Sequence, residues 1–148
     1  MAPILIDTNL LVYLYDFQAP KKQAQARQVL DHLNLTKSGR LSAQNLAEFL
    51  NVSTRKLEPP LSRAEALSQV SLFTRMWPVF DLTALIVLEA GRGARDHGLA
   101  YYDAQIWATA RLNQVTVVFS EDFSDGQVLE GVRFANPFAQ GFRVEEWA

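Results

Sequence analysis

The sequence contains no cysteine, which excludes a disulfide framework, a thiolate metal site and a cysteine nucleophile. Histidine is nearly missing too. His32 falls inside a helical pattern and reads as a surface residue, and His97, just before Gly98, suits the negative end of a helix dipole. There is no Gly-x-Ser-x-Gly elbow and no Gly-x4-Gly-Lys phosphate loop. Gly91-x-Gly93 lacks the third glycine of a dinucleotide-binding turn, has Asp96 in its place, and lies within a helical pattern. The longest unbroken apolar run, Leu10 to Tyr15, has six residues, against roughly 20 for a membrane-spanning helix. The first residues show neither a basic stretch nor a cleavage-like site, so no secretion signal is expected. No low-complexity segment, repeat or Gly/Ser-rich linker divides the chain. The expectation is one soluble, cytoplasmic domain spanning residues 1–148.

What is present suits a packed core. Of 148 residues, 49% are hydrophobic and 20% charged, which excludes intrinsic disorder. Taken as a total, the formal charge of −2 argues against a nucleic-acid partner. The total hides an asymmetry: residues 1–74 hold 8 basic and 6 acidic side chains, residues 75–148 hold 6 and 10. Where the acids sit therefore matters more than their number.

Pro3–Ile6 reads as a short strand running into Asp7-Thr8-Asn9, all capping residues, before a helical stretch Leu10–Tyr15. Pro20 suits the first position of a helix that stops at Gly39. A short strand at Arg40–Ser42 precedes a helix from Ala43 to Lys56, ended by Pro59-Pro60. Ser62-Arg-Ala-Glu65 is a capping box opening another helix. Val79–Leu82 is a weak strand, Thr83–His97 a helix closed by Gly98, and Tyr102–Asn113 a further helix. Val115–Phe119 is the clearest buried strand, and Val132–Phe134 a last one. Strands apolar on both faces alternate with helices, which predicts a three-layer α/β/α domain around a mostly parallel sheet of four to five strands.

Ligands of such sheets bind at the carboxyl ends of the strands. Asp7 follows the first strand. Ser120-Glu121-Asp122, with Asp125 beyond, follows the strongest one. Asp103 sits at a helix start and Glu48 within a helix. Taken singly, Asp7 and Asp103 read equally well as N-caps, and Ser120 and Asp122 as turn residues. Glu48 lies off the Leu46/Phe49/Leu50 stripe, as a solvated glutamate would. Capping does not explain why acids recur at so many element ends sharing one sheet edge. Carboxylates that converge cannot all stay ionised without a cation, and an oxygen-only set selects Mg²⁺ or Mn²⁺. With no evident His, Ser or Cys catalyst, water activated by such a cation is the natural nucleophile, with a phosphodiester as its target.

These residues resemble a known family, the PIN-domain ribonucleases, and specifically the VapC-type toxins of toxin–antitoxin pairs. The resemblance is carried by Ile4-Leu5-Ile6-Asp7-Thr8-Asn9-Leu10-Leu11-Val12-Tyr13, Asn45-Leu46-Ala47-Glu48-Phe49, Tyr102-Asp103-Ala104-Gln105-Ile106 and Phe119-Ser120-Glu121-Asp122-Phe123, in that order along nearly the whole chain. It implies a PIN-like fold in which Asp7, Glu48, Asp103 and Asp122 form a catalytic, metal-holding site. It further implies that Ser120 orients the last acid or a metal's water, and that Thr8 and Asn9 support the first. Asp125 matches a fifth acid that some members carry. The implied activity is Mg²⁺- or Mn²⁺-dependent endonucleolytic cleavage of RNA, restrained by a cognate antitoxin protein. The resemblance thereby reverses the solvated reading of Glu48.

Two other classes compete. An aspartate-nucleophile phosphatase needs a second Asp two residues after Asp7, where this chain has Asn9. A receiver-like signalling module needs a late lysine, whereas Lys21, Lys22, Lys37 and Lys56 all lie in the first 56 residues, and a PIN fold kept purely for binding is disfavoured by the complete acid set. Among secondary features, Lys21 and Lys22 open a helix against its dipole, as a solvated face or as phosphate contacts. Arg92 and Arg95 flank the Gly91/Gly93 segment and are candidate RNA-backbone contacts. Tyr101 and Tyr102 read as core residues before base-stacking ones. The aromatic tail Phe134, Phe138, Phe142 and Trp147 either wraps the core or forms a surface for a homodimer or the antitoxin.

Overall fold

The computed structural model describes residues 2–148; Met1, which opens the segment read as free of a secretion signal, lies outside them. Strand β1 (Ile4–Ile6) is buried throughout. Its pleat sends Ile4 and Ile6 into one core and Leu5 into the other, the alternation of a strand covered on both faces. Asp7 ends the strand and caps α1 (Thr8–Tyr13) by accepting from the Thr8 N–H. Helix α2 (Pro20–Thr36) begins on its proline and closes on Lys37 in the left-handed region.

The expected stop at Gly39 is thus corrected. Gly39 opens β2 (Gly39–Ser42), and a Cβ there would meet the Trp77 indole at 2.5 Å, so the glycine answers to packing. Helices α3 (Ala43–Arg55) and α4 (Arg63–Met76) start with capping boxes, Ser42 with Asn45 and Ser62 with Glu65. Then follow β3 (Val79–Phe80), α5 (Ala84–His97), which closes on Gly98, and α6 (Tyr101–Leu112). Strands β4 (Val117–Phe119), β5 (Val128–Leu129) and β6 (Val132–Ala135) precede a single 3-10 turn at Val144–Glu146.

The sheet order is β3-β2-β1-β4-β6-β5. All neighbours are parallel except β5, which pairs antiparallel with β6. The α/β/α expectation holds with six strands in place of four to five. The addition, β5, is two residues long and too short for a periodic signal. One face carries α1 to α4 around Leu10, Val29, Leu33, Phe49 and Phe73. The other carries α5 and α6 around Ile86, Ala90 and Trp107. The aromatic tail divides between the faces: on the first, Phe142 and Trp147 stand edge-on to Phe119 at 5.3 and 5.8 Å and Phe138 to Tyr13 at 4.9 Å, while Phe134 stacks on Phe123 at 3.9 Å in the second. Among the described residues no helix is long and apolar enough to cross a membrane.

Candidate active site

Strand β1 lies between β2 and β4, so the chain departs from it in one direction and returns on the other side. That reversal is the switch point where open α/β sheets bind ligands. At its carboxyl edge Asp7 N–H donates to the Phe119 carbonyl at 3.0 Å, which brings Asp7 and Ser120 together. Helix α6 leads back into β4, so its N-terminal turn, with Asp103, lies at the same edge. Helix α3, leaving β2, carries Glu48 there.

Asp7 is only 4% exposed. Its Oδ1 accepts from Thr8 N–H at 2.8 Å and from Asn45 Nδ2 at 3.4 Å, and its Oδ2 from Ser120 Oγ at 2.6 Å. Burial lifts its pKa to about 7; the Ser120 and Thr8 hydrogen bonds pull it down, and the charges of Asp122 and Glu48 push it up. Glu48 is half-buried and accepts from Thr8 Oγ1 at 3.4 Å. Burial also raises its pKa, opposed by hydrogen bonds from Gln44 and Thr8 and reinforced by Asp103 and Asp122. The reading of Glu48 as solvated, drawn from helical spacing alone, is therefore corrected. It lines a cleft of about 320 Å³ with Thr8, Asn9, Tyr13, Lys56 and Asp122. A larger groove of about 830 Å³ between α3 and α4 has no carboxylate on its walls.

Asp103 lies within the first turn of α6, whose N-cap is Ala100, so the N-cap reading of Asp103 fails. Burial raises its pKa, with Asp122 adding to the rise. Asp122 stands exposed at the mouth and accepts from Asn9 Nδ2 at 3.2 Å. Ser120 Oγ donates to Asp7 and accepts from the Asp122 main-chain N–H at 3.0 Å, so it orients the first carboxylate and pins the loop bearing the last.

The other candidates scatter. Asp125 is exposed and accepts from Asn136 N–H at 2.9 Å, with no hydrogen bond to the four acids. Lys22 pairs with Glu121 at 2.8 Å and donates to Tyr13 Oη at 3.2 Å, beside the cleft; Tyr13 Oη in turn donates to Glu121. Lys21 is exposed next to it. Arg92 is engaged by Glu89, Asp96 and Glu130, and Arg95 by Asp96. Glu130 sits in the turn entering the amino end of β6, the sheet edge opposite Asp7. The core reading of the tyrosines is overturned: Tyr102 is 67% exposed and borders a hollow shared with Glu48 and Leu82, its ring edge-on to Tyr101 at 5.2 Å. Sequence reasoning also missed Lys56, since nothing in a helix end reveals which cleft it borders.

A divalent cation fits this donor set. The four acids supply only oxygen, and among the described residues none of them is ion-paired to Lys, Arg or His. Asn9 Oδ1 is a further buried acceptor without a donor. Among the described residues no three His, Asp or Glu side chains are drawn in closely enough to hold an ion by themselves. A cation bound through one or two of these carboxylates would have to keep several waters, as Mg²⁺ does.

Comparison with known proteins agrees with this architecture. A toxin–antitoxin complex from Klebsiella pneumoniae superposes with a TM-score of 0.67 at 17% identity, covering 91% of this chain and 98% of that one. DNA-bound VapBC from Salmonella typhimurium gives 0.65 at 20% identity, covering 93% and 99%. Mycobacterium tuberculosis VapC20, a sarcin–ricin-loop-cleaving toxin, gives 0.64 at 20% identity, covering 88% and 98%. Curated protein sequences give no significant match. The family model of the PIN domain matches residues 4–124, and the chain belongs to the PIN-domain family.

Proposed function

We propose that the protein is a divalent-metal-dependent endoribonuclease, the VapC-type toxin of a toxin–antitoxin pair. The observation that carries the reading is the meeting of Asp7, Glu48, Asp103 and Asp122, from four different elements, at the switch point of the sheet, with none of them ion-paired among the described residues. The family and the neighbouring toxin structures support it. The whole of residues 1–148 is taken as one PIN domain, because β6 and the tail beyond residue 124 complete the sheet and its cover.

In this reading the four acids hold Mg²⁺ or Mn²⁺, which when bound neutralises a phosphodiester and lowers the pKa of water. The chain's own groups prepare that chemistry. Thr8 N–H and Ser120 Oγ fix the two oxygens of Asp7, and Asn9 holds Asp122 at the mouth. Lys56 borders the cleft, while Lys21 and Lys22 line a separate hollow against Phe138, with Lys22 reaching the cleft wall at Tyr13; all three are phosphate contacts in this reading, and the exposed Tyr102 offers a face for a base. The antitoxin is the expected protein partner and a homodimer the expected assembly, acting in the cytoplasm. Arg92 and Arg95, on the opposite edge, are poorly placed for the same RNA.

The deciding experiment expresses wild type and Asp7→Asn in a bacterial host and sequences RNA ends. Wild type is expected to arrest growth with discrete new ends, while Asp7→Asn and Asp103→Asn fold and do neither. Cleavage by purified protein should stop in EDTA. Cleavage that survives EDTA, or either substitution, overturns the mechanism; absence of arrest and of new ends overturns the toxin reading.

A further inference from the structure

The first turn of α3 carries two buried amides, Gln44 and Asn45, one turn ahead of Glu48. Buried amides are costly unless every group is satisfied, and an apolar residue would fill a core position more cheaply. Their partners explain them. Asn45 Oδ1 accepts from the Ser42 main-chain N–H at 3.0 Å and from Ser42 Oγ at 2.8 Å. A main-chain N–H can only donate, so the amide orientation is settled. Its Nδ2 then faces Asp7 Oδ1 at 3.4 Å and Thr8 Oγ1 at 3.2 Å. With its oxygen accepting from Asn45, the Thr8 hydroxyl has its proton free for Glu48 Oε1 at 3.4 Å.

Gln44 reaches the other way. Its Nε2 donates to the Tyr102 carbonyl at 3.0 Å, and its Oε1 accepts from Gln105 Nε2 at 2.8 Å. Gln105 Oε1 accepts in turn from Tyr101 Oη at 2.9 Å. Tyr102 and Gln105 bracket Asp103. One turn of helix is thus clasped to the element bearing Asp7 and to the element bearing Asp103, directly before it delivers Glu48.

We infer that Asn45 and Gln44 are positioning residues: they set α3, and Glu48 with it, in register against Asp7 on one side and Asp103 on the other. Buried polar groups that fix register in this way act through specificity of arrangement more than through stability. The inference rests on the proposed role of the four acids. Groups of this kind, one step removed from a metal, typically change its affinity 10- to 100-fold when removed.

The test measures Mn²⁺ binding to metal-free protein by calorimetry, at a temperature where each variant is fully folded by near-UV circular dichroism. Asn45→Ala should bind Mn²⁺ about tenfold or more weakly. Ser42→Ala, which breaks the same cap but leaves Nδ2 on Asp7, should stay within about threefold of wild type. The double variant Gln44→Leu/Gln105→Leu removes both partners of a buried hydrogen bond, so its thermal midpoint should match or exceed wild type while Mn²⁺ binding falls about tenfold. If Asn45→Ala does not fold, the leucine pair decides. Binding within twofold of wild type in the folded variants overturns the inference alone. Wild type that binds no Mn²⁺ overturns the metal-dependent reading and this inference with it.

Discussion

Asp7 takes three hydrogen bonds, all from neutral donors, and burial dominates its proton affinity. Its folded pKa of about 7 lies above the ordinary 3.8. Below pH 4 the carboxyl is protonated in folded and unfolded chains alike and contributes nothing. Between about 4 and 7 the unfolded chain releases the proton while the folded one retains it, so metal-free stability falls by up to about 1.4 kcal/mol per pH unit. Above 7 the loss is complete. Metal-free Asp7→Asn should therefore melt at a higher temperature than wild type at pH 8 and near the wild-type value at pH 4, followed by circular dichroism in EDTA. Mn²⁺ at pH 8 should raise the wild-type midpoint and leave the variant's unchanged. A wild type whose midpoint tracks the variant's across that range would show that Asp7 is not held under strain by burial. Asp7 is legible in the sequence because a strand end, a cap and an acid coincide there. Glu48 is not, because helical spacing registers only the stripe facing α3's own core and is blind to a cleft completed by α1 and the loop bearing Asp122. Asn45 is hidden for a related reason: its cap role is local, but its second face meets Asp7, 38 residues away.

Helix α5 shows how an element is constrained from outside. Gly91 and Gly93 look alike in sequence, two small residues in a helical pattern. Yet a Cβ on Gly93 would approach the Trp107 ring to 2.5 Å, while nothing lies within 4 Å of one on Gly91. Trp107 is fully buried and has no room to retreat. Alanine favours a helix interior over glycine by up to about 1 kcal/mol. Gly91→Ala should therefore raise stability by about 0.5–1 kcal/mol. Gly93→Ala should lower it by about 1–3 kcal/mol, overpacking outweighing propensity. Urea denaturation of both variants checks the signs; two stabilising substitutions would refute the close packing of α5 on α6. The elements were otherwise readable where local chemistry marks them: the Ser62 capping box, Pro20 and Gly98 stand at helix ends as expected. The misreadings came where tertiary contacts decide. Gly39 serves a tryptophan and not a helix stop, and β5 exists only because β6 offers an edge.

Taken over the whole molecule, the charge of −2 separates into two regions with different tasks. Setting aside the four acids at the switch point turns −2 into +2 for the remainder. On the far edge Arg92, Arg95 and Arg111 are matched by Glu89, Asp96 and Glu130, so that region presents little free positive charge. Lys56 is exposed on the cleft, and in the hollow beside Phe138 Lys21 is exposed and Lys22 pairs with Glu121. In the proposed reading an RNA strand would meet a cleft of carboxylates bordered by Lys56, with Lys21 and Lys22 beyond it, and would be repelled until a cation is bound. Metal-free protein should bind a cleavage-resistant phosphorothioate RNA weakly, and Mn²⁺ should tighten binding about tenfold or more, read by fluorescence anisotropy. Each lysine that contacts a phosphate contributes about 0.7 to the slope of log affinity against log salt for a single strand. Lys21→Gln and Lys56→Gln should each lower that slope by about that amount, and Arg95→Gln should leave it unchanged. Affinity indifferent to Mn²⁺, or an arginine variant that lowers the slope as much as the lysine variants, would place the RNA on the other edge of the sheet.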